Sequence, residues 1–172
     1  ANQHPTQTFL DLFTMQERMG TLDGLKIGLL GDLKYGRTVH SLTTALSLFQ
    51  CTLYFISHPL LAMPSSYLKE LRQRNVLYKE LNELEEIDEQ LDILYVTRIQ
   101  QERFGDPMEY EKVAGSYRIT PQTLDLLGKN VKVMHPLPRV NEIVEHVDQM
   151  PNALYFQQAH NGVPVRQALL GL

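Results

Sequence analysis

Three polar segments of the sequence each contain an arginine that could hold an anionic substrate. These are Arg37, Arg98 and Arg139, and each stands among Gly, Pro, Thr or Gln residues that are typical of loops. A guanidinium group is a planar fork that grips a carboxylate or phosphate through two parallel hydrogen bonds. Two or three such groups facing one crevice would bind a substrate that carries carboxylates or phosphate. Taken singly, a loop arginine is more often a surface or ion-pairing residue.

Covalent and metal chemistry have little support in the sequence. The G-x-S-x-G pattern of a serine nucleophile does not occur, and the one cysteine, Cys51, lies in an apolar run. His58, His146 and His160 show no metal-ligand spacing with one another or with Cys51. Residues 31–36 lack the G-x-G-x-x-G spacing of a dinucleotide loop, which disfavours a nucleotide-dependent oxidoreductase. The sequence instead favours electrostatic catalysis without a metal, an organic cofactor or a covalent intermediate.

The elements that would position the arginines alternate between strand and helix. The predicted strands occupy residues 25–30, 52–56, 76–78, 92–96 and 131–134. The predicted helices occupy residues 5–19, 38–49, 65–75, 80–89, 108–113 and 121–128, with a short one after Val140 and a longer one from about residue 157. We interpret His40, within the second helix, as structural rather than catalytic. The alternation predicts right-handed crossovers and a doubly wound parallel α/β sheet of about five strands, with helices on both faces, in a single domain.

Such a fold predicts where the chemistry lies. Ligands of doubly wound sheets bind beyond the carboxyl ends of the strands, near the point where the strand order switches. The segments with Arg37, Arg98 and Arg139 follow the first, fourth and fifth predicted strands, in that order. We therefore expect them to lie along one edge of the sheet.

The composition is that of a globular protein with its own core. Hydrophobic residues make up 43% and charged residues 21% of the 172 residues, so neither a metal nor a disulfide is needed for stability. The net charge is −4 and the basic residues are scattered, so the sequence has no basic patch that would bind nucleic acid. No apolar stretch approaches the ~20 residues of a membrane span, and the N-terminus has no signal-peptide pattern. With a single cysteine, these features predict a cytoplasmic protein.

Four motifs, taken in chain order, resemble those of the transcarbamoylases, and specifically of their aspartate branch. H-P-T-Q at residues 4–7 is similar to the carbamoyl-phosphate motif of that family. D-L-K-Y-G-R-T-V-H-S at residues 32–41, T-R-I-Q at residues 97–100 and H-P-L-P-R at residues 135–139 are similar to signatures of aspartate carbamoyltransferases. Ornithine carbamoyltransferases carry a Cys in the first motif and a late H-C-L-P motif, and neither occurs here.

The resemblance implies the reaction of carbamoyl phosphate with L-aspartate, which gives N-carbamoyl-L-aspartate and phosphate in pyrimidine biosynthesis. It implies that His4 donates a hydrogen bond to the carbamoyl oxygen, where negative charge grows in the transition state. Gln7 and the backbone carbonyls of Leu137 and Pro138 are expected to hold the carbamoyl NH2 group.

The resemblance also assigns the aspartate side of the site. Arg37 and Arg98 are expected to clamp the two carboxylates of aspartate, assisted by Thr38 and Gln100, so that His4, Arg37 and Arg98 form the catalytic set. No cofactor is implied. The intact family enzyme is expected to be a homotrimer, with or without regulatory chains.

The sequence also departs from the family pattern. The Ser-Thr-Arg-Thr motif with which the family binds phosphate does not occur. The chain begins without an initiator methionine and ends within a predicted helix, and we interpret both ends as cuts in a longer polypeptide. Residues 1–172 are therefore expected to form the aspartate-binding domain alone, with little activity in isolation. The alternative is a non-catalytic binding or scaffold module that keeps the fold.

Overall fold

Five strands and six helices alternate along the part of the chain that the structure describes. This computed structural model describes residues 5–171, except for the side chains of Arg103 and Ser116. The strands are β1 (Lys26–Leu30), β2 (Thr52–Ile56), β3 (Leu77–Leu81), β4 (Ile93–Val96) and β5 (Lys132–Met134). The helices are α1 (Pro5–Met19), α2 (Arg37–Leu46), α3 (Ser65–Gln73), α4 (Pro107–Ser116), α5 (Pro121–Leu127) and α6 (Tyr155–Leu170).

The strands form one parallel sheet in the order β3-β2-β1-β4-β5. β1 lies in the middle, where Leu30 stands opposite Ile56 of β2 and Val96 of β4. After β3 the chain returns past β1 to begin β4 on its other side, so the strand order switches between β1 and β4. The prediction of a doubly wound parallel α/β sheet is confirmed.

Both faces of the sheet are covered, because successive residues of a strand point to opposite faces. Phe55 and Tyr95 belong to a buried cluster that includes side chains of α1, α2 and α3. Their neighbours Tyr54 and Val96 belong to a second buried cluster, which includes side chains of α4 and α5. Two cores explain why the central strands are almost continuous apolar runs.

Helices α1 and α6 pack against each other through buried polar side chains. Gln158 donates a hydrogen bond from Nε2 to Oδ1 of Asp11 at 2.8 Å, and Asn161 donates one from Nδ2 to Oγ1 of Thr14 at 3.0 Å. The last helix is thereby fixed to the first. Among the described residues, no helix combines the length and the apolar character needed to cross a bilayer.

The prediction of a helix over residues 80–89 is wrong. Leu81 ends β3 by pairing with β2, and only the short 3-10 turn Leu84–Glu86 follows. The acidic residues of this segment were interpreted as the solvated face of a helix, but acidic residues indicate exposure without indicating helix, and Leu84 and Ile87 among them are buried. The side-chain carboxylate of Glu86 accepts the backbone N–H of Glu83 at 2.8 Å, which caps this single turn.

Candidate functional site

The two arginines expected to bind aspartate lie where the strand order switches. Arg37 is the first residue of α2, directly after the loop that follows β1. Arg98 lies just beyond the end of β4, which neighbours β1 in the sheet. The cleft at this position is lined by Leu30, Thr97, Arg98, Ile99, Tyr110 and Glu142, among others. The fold thus brings both arginine segments to the position where doubly wound sheets bind ligands.

The loops that carry these arginines are tied to each other. The Thr97 hydroxyl donates a hydrogen bond to the carbonyl oxygen of Leu30 at 2.9 Å and accepts the N–H of Asp32 at 3.0 Å. Gly31 between them has a φ of +113°, and a Cβ at this position would lie 2.6 Å from the carbonyl oxygen of Thr97. Glycine is therefore required at Gly31 for the two strand ends to approach this closely.

The start of α2 is fixed by equally short contacts. A Cβ on Gly36 would lie 2.5 Å from the carbonyl oxygen of Asp32, so the backbone turns tightly before Arg37. His40, one turn into α2, bonds through Nε2 to the carbonyl oxygen of Leu33 at 2.8 Å. Its ring also stacks on Tyr67 with a centroid distance of 4.5 Å. These contacts give His40 a structural role in holding the loop after β1 against α2.

The guanidinium groups of Arg37 and Arg98 are available for a ligand. Both side chains are exposed, and neither forms an ion pair with another described residue. Thr38 and Gln100, which were expected to assist them, are both half-buried. Gln100 lies just before the 3-10 turn Gln101–Arg103, in the loop beyond β4.

Arg139, the third arginine of the strand ends, is already occupied. It donates to Oδ2 of Asp148 at 2.6 Å and to the hydroxyl of Tyr155 at 3.1 Å. The hydrogen bond from Arg139 is the main cause that lowers the pKa of Asp148 below its usual value. Of the three strand-end arginines, only Arg37 and Arg98 are therefore free among the described residues.

Gln7 of α1 and Thr38 of α2 both lie near the hydroxyl of Tyr95. Burial, and then the Asp11 carboxylate, raise the pKa of Tyr95 well above its usual value, while hydrogen bonds from Thr38 and Gln7 act in the opposite direction. Tyr95 precedes Arg98 by three residues at the end of β4. This places the expected carbamoyl-binding glutamine and the expected aspartate-binding threonine beside the same strand end.

The loop after β5 is held in place by hydrogen bonds of its first residue, His135. Nδ1 of His135 accepts the N–H of Leu137 at 2.9 Å, and the backbone N–H of His135 donates to Oε1 of Gln158 at 2.8 Å. Leu137 has a φ of +48°, a conformation that a leucine adopts only when its surroundings hold it there. On its other side, the buried Nε2 of His135 faces Oε1 of Glu142 at 3.8 Å. The carbonyls of Leu137 and Pro138 are thus carried by a fixed loop.

Comparison with known proteins identifies the family. Residues 23–172 match the model of the aspartate/ornithine carbamoyltransferase Asp/Orn binding domain. The chain belongs to the aspartate/ornithine carbamoyltransferase family.

The relatives of this carbamoyltransferase domain include proteins named aspartate carbamoyltransferase catalytic subunit. The subunit of Thermococcus kodakarensis is 57% identical over 172 residues, and that of Thermococcus onnurineus is 56% identical. In both cases the match covers 100% of this chain and 56% of the relative. The chain therefore spans a little over half the length of these relatives.

Solved structures of aspartate transcarbamoylases have the same fold. The catalytic subunit from Methanocaldococcus jannaschii superposes with a TM-score of 0.94 at 52% identity, over 99% of this chain and 55% of that one. The enzyme from Trypanosoma cruzi, in complex with carbamoyl phosphate and aspartate, superposes with a TM-score of 0.87 at 34% identity, over 98% of this chain and 54% of that one.

Sequence reasoning missed the buried residues that support the site of this carbamoyltransferase domain. Asp11, Tyr95 and Gln158 were not singled out, although Asp11 stands four residues after Gln7 and hence on the same face of α1. Nothing in the sequence links Gln158 to His135, because that contact depends on how α6 returns to the sheet. His4, predicted as the oxyanion donor, lies outside the described residues.

Proposed function

We propose that this chain supplies the aspartate-binding half of an aspartate carbamoyltransferase site. In the proposed reaction the amino nitrogen of L-aspartate attacks the carbonyl carbon of carbamoyl phosphate. A C–N bond forms, the C–O bond to phosphate breaks, and the products are N-carbamoyl-L-aspartate, phosphate and a proton. The observation that carries the proposal is a pair of guanidinium groups, Arg37 and Arg98, that follow the neighbouring strands β1 and β4 and form no ion pair with another described residue.

The charge of aspartate matches this pair of arginines. Its two carboxylates are both ionised near neutral pH, and a guanidinium fork accommodates one carboxylate through two parallel hydrogen bonds. Lysines at the same positions would offer point charges without that planar geometry. In the proposal Arg37 and Arg98 therefore fix the position of the nucleophile, and Thr38 and Gln100 supply further polar contacts at the same strand ends.

The carbamoyl group is assigned to the opposite side of the site. Gln7 and the backbone carbonyls of Leu137 and Pro138 accept hydrogen bonds from its NH2 group, and His4 donates to its oxygen. Holding both substrates in attack geometry lowers the barrier by about 7–11 kcal/mol, and one oxyanion donor adds about 2.7–4 kcal/mol. These residues accomplish this by orientation and hydrogen bonding alone.

The matched relatives extend the proposal beyond this domain. Their remaining sequence would supply the carbamoyl-phosphate half of the site, so residues 1–172 act as one domain of the working enzyme. We further propose a cytoplasmic homotrimer, with or without regulatory chains, as its assembled form.

A titration of the 172-residue chain with L-aspartate, followed by NMR, tests the aspartate half directly. Arg37→Ala and Arg98→Ala should each weaken binding by about 10- to 100-fold, since each removes hydrogen bonds to a charged group. Arg18→Ala is the matched control, because Arg18 is an exposed arginine roughly 16 Å along α1 from Gln7. Equal affinities in all three variants would contradict the proposal.

Turnover is measured in a hybrid subunit, in which residues 1–172 replace the matching segment of the Thermococcus kodakarensis catalytic subunit. The hybrid should form N-carbamoyl-L-aspartate, and either arginine variant should lose activity chiefly through a higher KM for aspartate. If the chain is instead a non-catalytic scaffold module, the hybrid should assemble but show no turnover. Its affinity for aspartate should then be no higher than that of the Arg37→Ala variant.

A further inference from the structure

Asp11 of α1 is a fully buried carboxylate held by three donors. Its Oδ1 accepts hydrogen bonds from Nε2 of Gln7 and from Nε2 of Gln158, both at 2.8 Å. Its Oδ2 accepts one from the Tyr95 hydroxyl at 2.8 Å. The three donors come from α1, α6 and β4, and all are neutral side chains. A carboxylate removed from water requires such donors, because an ion without partners is costly to bury.

A purely structural role would be to join α1 to α6. Asn161 already performs that role three residues further along α6, where Nδ2 donates to Thr14 at 3.0 Å and to Glu17 at 3.2 Å. The contacts of Asn161 end within the two helices. Those of Asp11 differ, since two of its partners continue to groups at the carboxyl edge of the sheet.

The first of these partners is Gln7. An ionised carboxylate can only accept hydrogen bonds, so the Gln7 amide must turn its NH2 group towards Asp11. The amide oxygen Oε1 is then left on the other side as an acceptor. An acceptor is what the NH2 group of a carbamoyl substrate needs, whereas a rotated amide would present its own donor. Asp11 therefore determines which end of the Gln7 amide is offered.

The second partner is Gln158, whose amide is oriented by the same rule. With Nε2 donating to Asp11, its Oε1 accepts the backbone N–H of His135 at 2.8 Å. His135 in turn accepts the N–H of Leu137 through Nδ1 at 2.9 Å. A continuous series of hydrogen bonds thus runs from Asp11 to the backbone whose carbonyls are assigned to the carbamoyl group.

From this geometry we infer that Asp11 is a positioning residue. It orients both groups that accept hydrogen bonds from the carbamoyl NH2, namely the amide oxygen of Gln7 and the backbone carbonyls of Leu137 and Pro138. The inference deepens the proposed function and rests on it. Asp11 itself contacts no substrate, and it acts through the orientation of Gln7 and Gln158.

The protonation states of the cluster agree with this role. Burial raises the pKa of Asp11 to about 6 and the three hydrogen bonds oppose that rise, so Asp11 is ionised above this pH. Tyr95 is the titratable group among the described partners of Asp11. Burial first, and the Asp11 carboxylate second, raise its pKa well above its usual value, which keeps its hydroxyl a donor.

The variant Asp11→Asn in the hybrid subunit tests the inference. The amide that replaces the carboxylate carries no charge and brings its own NH2 group, so Gln7 and Gln158 lose the charged acceptor that orients their amides. The KM for carbamoyl phosphate should rise about 10- to 100-fold, the range expected for a buried group left without its partner. The affinity of the 172-residue chain for L-aspartate should change by less than about threefold, a smaller effect than the loss of one hydrogen bond.

Two further variants keep the test decisive if Asp11→Asn lowers stability. Gln158→Met breaks the series to His135 but leaves the Gln7–Asp11 bond, and should raise the KM for carbamoyl phosphate by about tenfold. Asn161→Ala is the matched control in the same helix pair and should leave that KM unchanged. Similar KM values in Asp11→Asn and Asn161→Ala, or an equal rise for both substrates, would overturn the role of Asp11.

The outcome also separates this inference from the proposed function. A wild-type hybrid that forms no N-carbamoyl-L-aspartate contradicts the proposed function. An active wild-type hybrid with an unchanged Asp11→Asn variant contradicts only the inference. The side-chain amide signal of Gln7 in the NMR spectrum of the chain supplies a readout without turnover, because it should shift in Asp11→Asn and not in Asn161→Ala.

Discussion

The side-chain hydroxyl of Thr97 accepts the backbone N–H of Asp32 at 3.0 Å, which joins the loop after β4 to the loop after β1. These loops carry Arg98 and Arg37. The same hydroxyl donates to the carbonyl oxygen of Leu30 at 2.9 Å, so its one proton and one of its lone pairs are both used. The relative position of the two arginines therefore depends on a threonine that was not expected to contact substrate.

Thr97→Val should separate the two loops without changing the volume of the side chain. The buried N–H of Asp32 would lose its acceptor, which should lower the free energy of unfolding by about 1–3 kcal/mol. Aspartate binding should weaken as well, because the two guanidinium groups lose their common support. Denaturant unfolding and an aspartate titration measure the two effects. Thr97→Ser retains the hydroxyl and should stay close to wild type in both, and a Val variant equal to the Ser variant would contradict this account.

Gly31→Ala tests the close approach of the two strand ends. The substitution places a Cβ in the left-handed region at φ +113° and 2.6 Å from the carbonyl oxygen of Thr97. Gly24→Ala is the control, since Gly24 has a φ of +81° but open space around its Cβ position. The backbone conformation alone costs about 1–2 kcal/mol, so Gly24→Ala should lose that amount and Gly31→Ala clearly more. Thermal unfolding of the two variants decides, and equal losses would show that the loop relaxes away from Thr97.

The sequence predicted the position of Arg37 and Arg98 because two simple rules suffice for it. Apolar runs identified β1 and β4, and ligand sites of doubly wound sheets lie beyond strand ends where the order switches. The structure then places both residues at that switch. Their availability could not be predicted, since it depends on which acidic side chains fold nearby. Arg139 shows the difference, because its partner Asp148 is brought to it by the chain after β5.

The supporting residues of the carbamoyl side were beyond sequence reasoning for another reason. Asp11 and Gln158 are separated by 147 positions and meet only because α1 and α6 pack together. The helix predicted over residues 80–89 is wrong because a run of acidic residues indicates only exposure to solvent, while the backbone of Leu81 is already paired with β2. Local patterns report which residues are buried, and the pairing of distant segments decides what they contact.

The pH dependence of stability should distinguish Asp11 from Glu142. Burial raises the pKa of Asp11 from 3.8 to about 6, so the folded state binds a proton more readily than the unfolded state. This contribution makes the protein more stable as pH falls from about 6 towards 4, by an amount on the order of 3 kcal/mol. Asp11→Asn removes it, so the wild-type curve should rise relative to that of the variant over this range. A constant difference between the two curves from pH 7 to 4 would contradict the shift.

Glu142 should act in the opposite direction and at lower pH. Although burial favours a higher value, the His135 imidazole, 3.8 Å away, and hydrogen bonds from backbone N–H groups hold the pKa of Glu142 at about 2. Its contribution is therefore complete above the ordinary value of 4.5 and is lost as pH falls towards 2. Glu142→Gln should flatten the acid limb below pH 4.5 and leave the range from 4.5 to 6 unchanged. Acid titration followed by circular dichroism measures this, and an unaltered acid limb would refute it.

The central claim, that Arg37 and Arg98 share one dicarboxylate, is tested most directly by a crystal structure of the chain with L-aspartate. The account predicts guanidinium nitrogens of both arginines within about 3.2 Å of carboxylate oxygens of the same ligand molecule. It also predicts that the amino group of the ligand points towards the loop of Leu137 and Pro138. A ligand bound by only one of the two arginines, or bound away from the ends of β1 and β4, would contradict it.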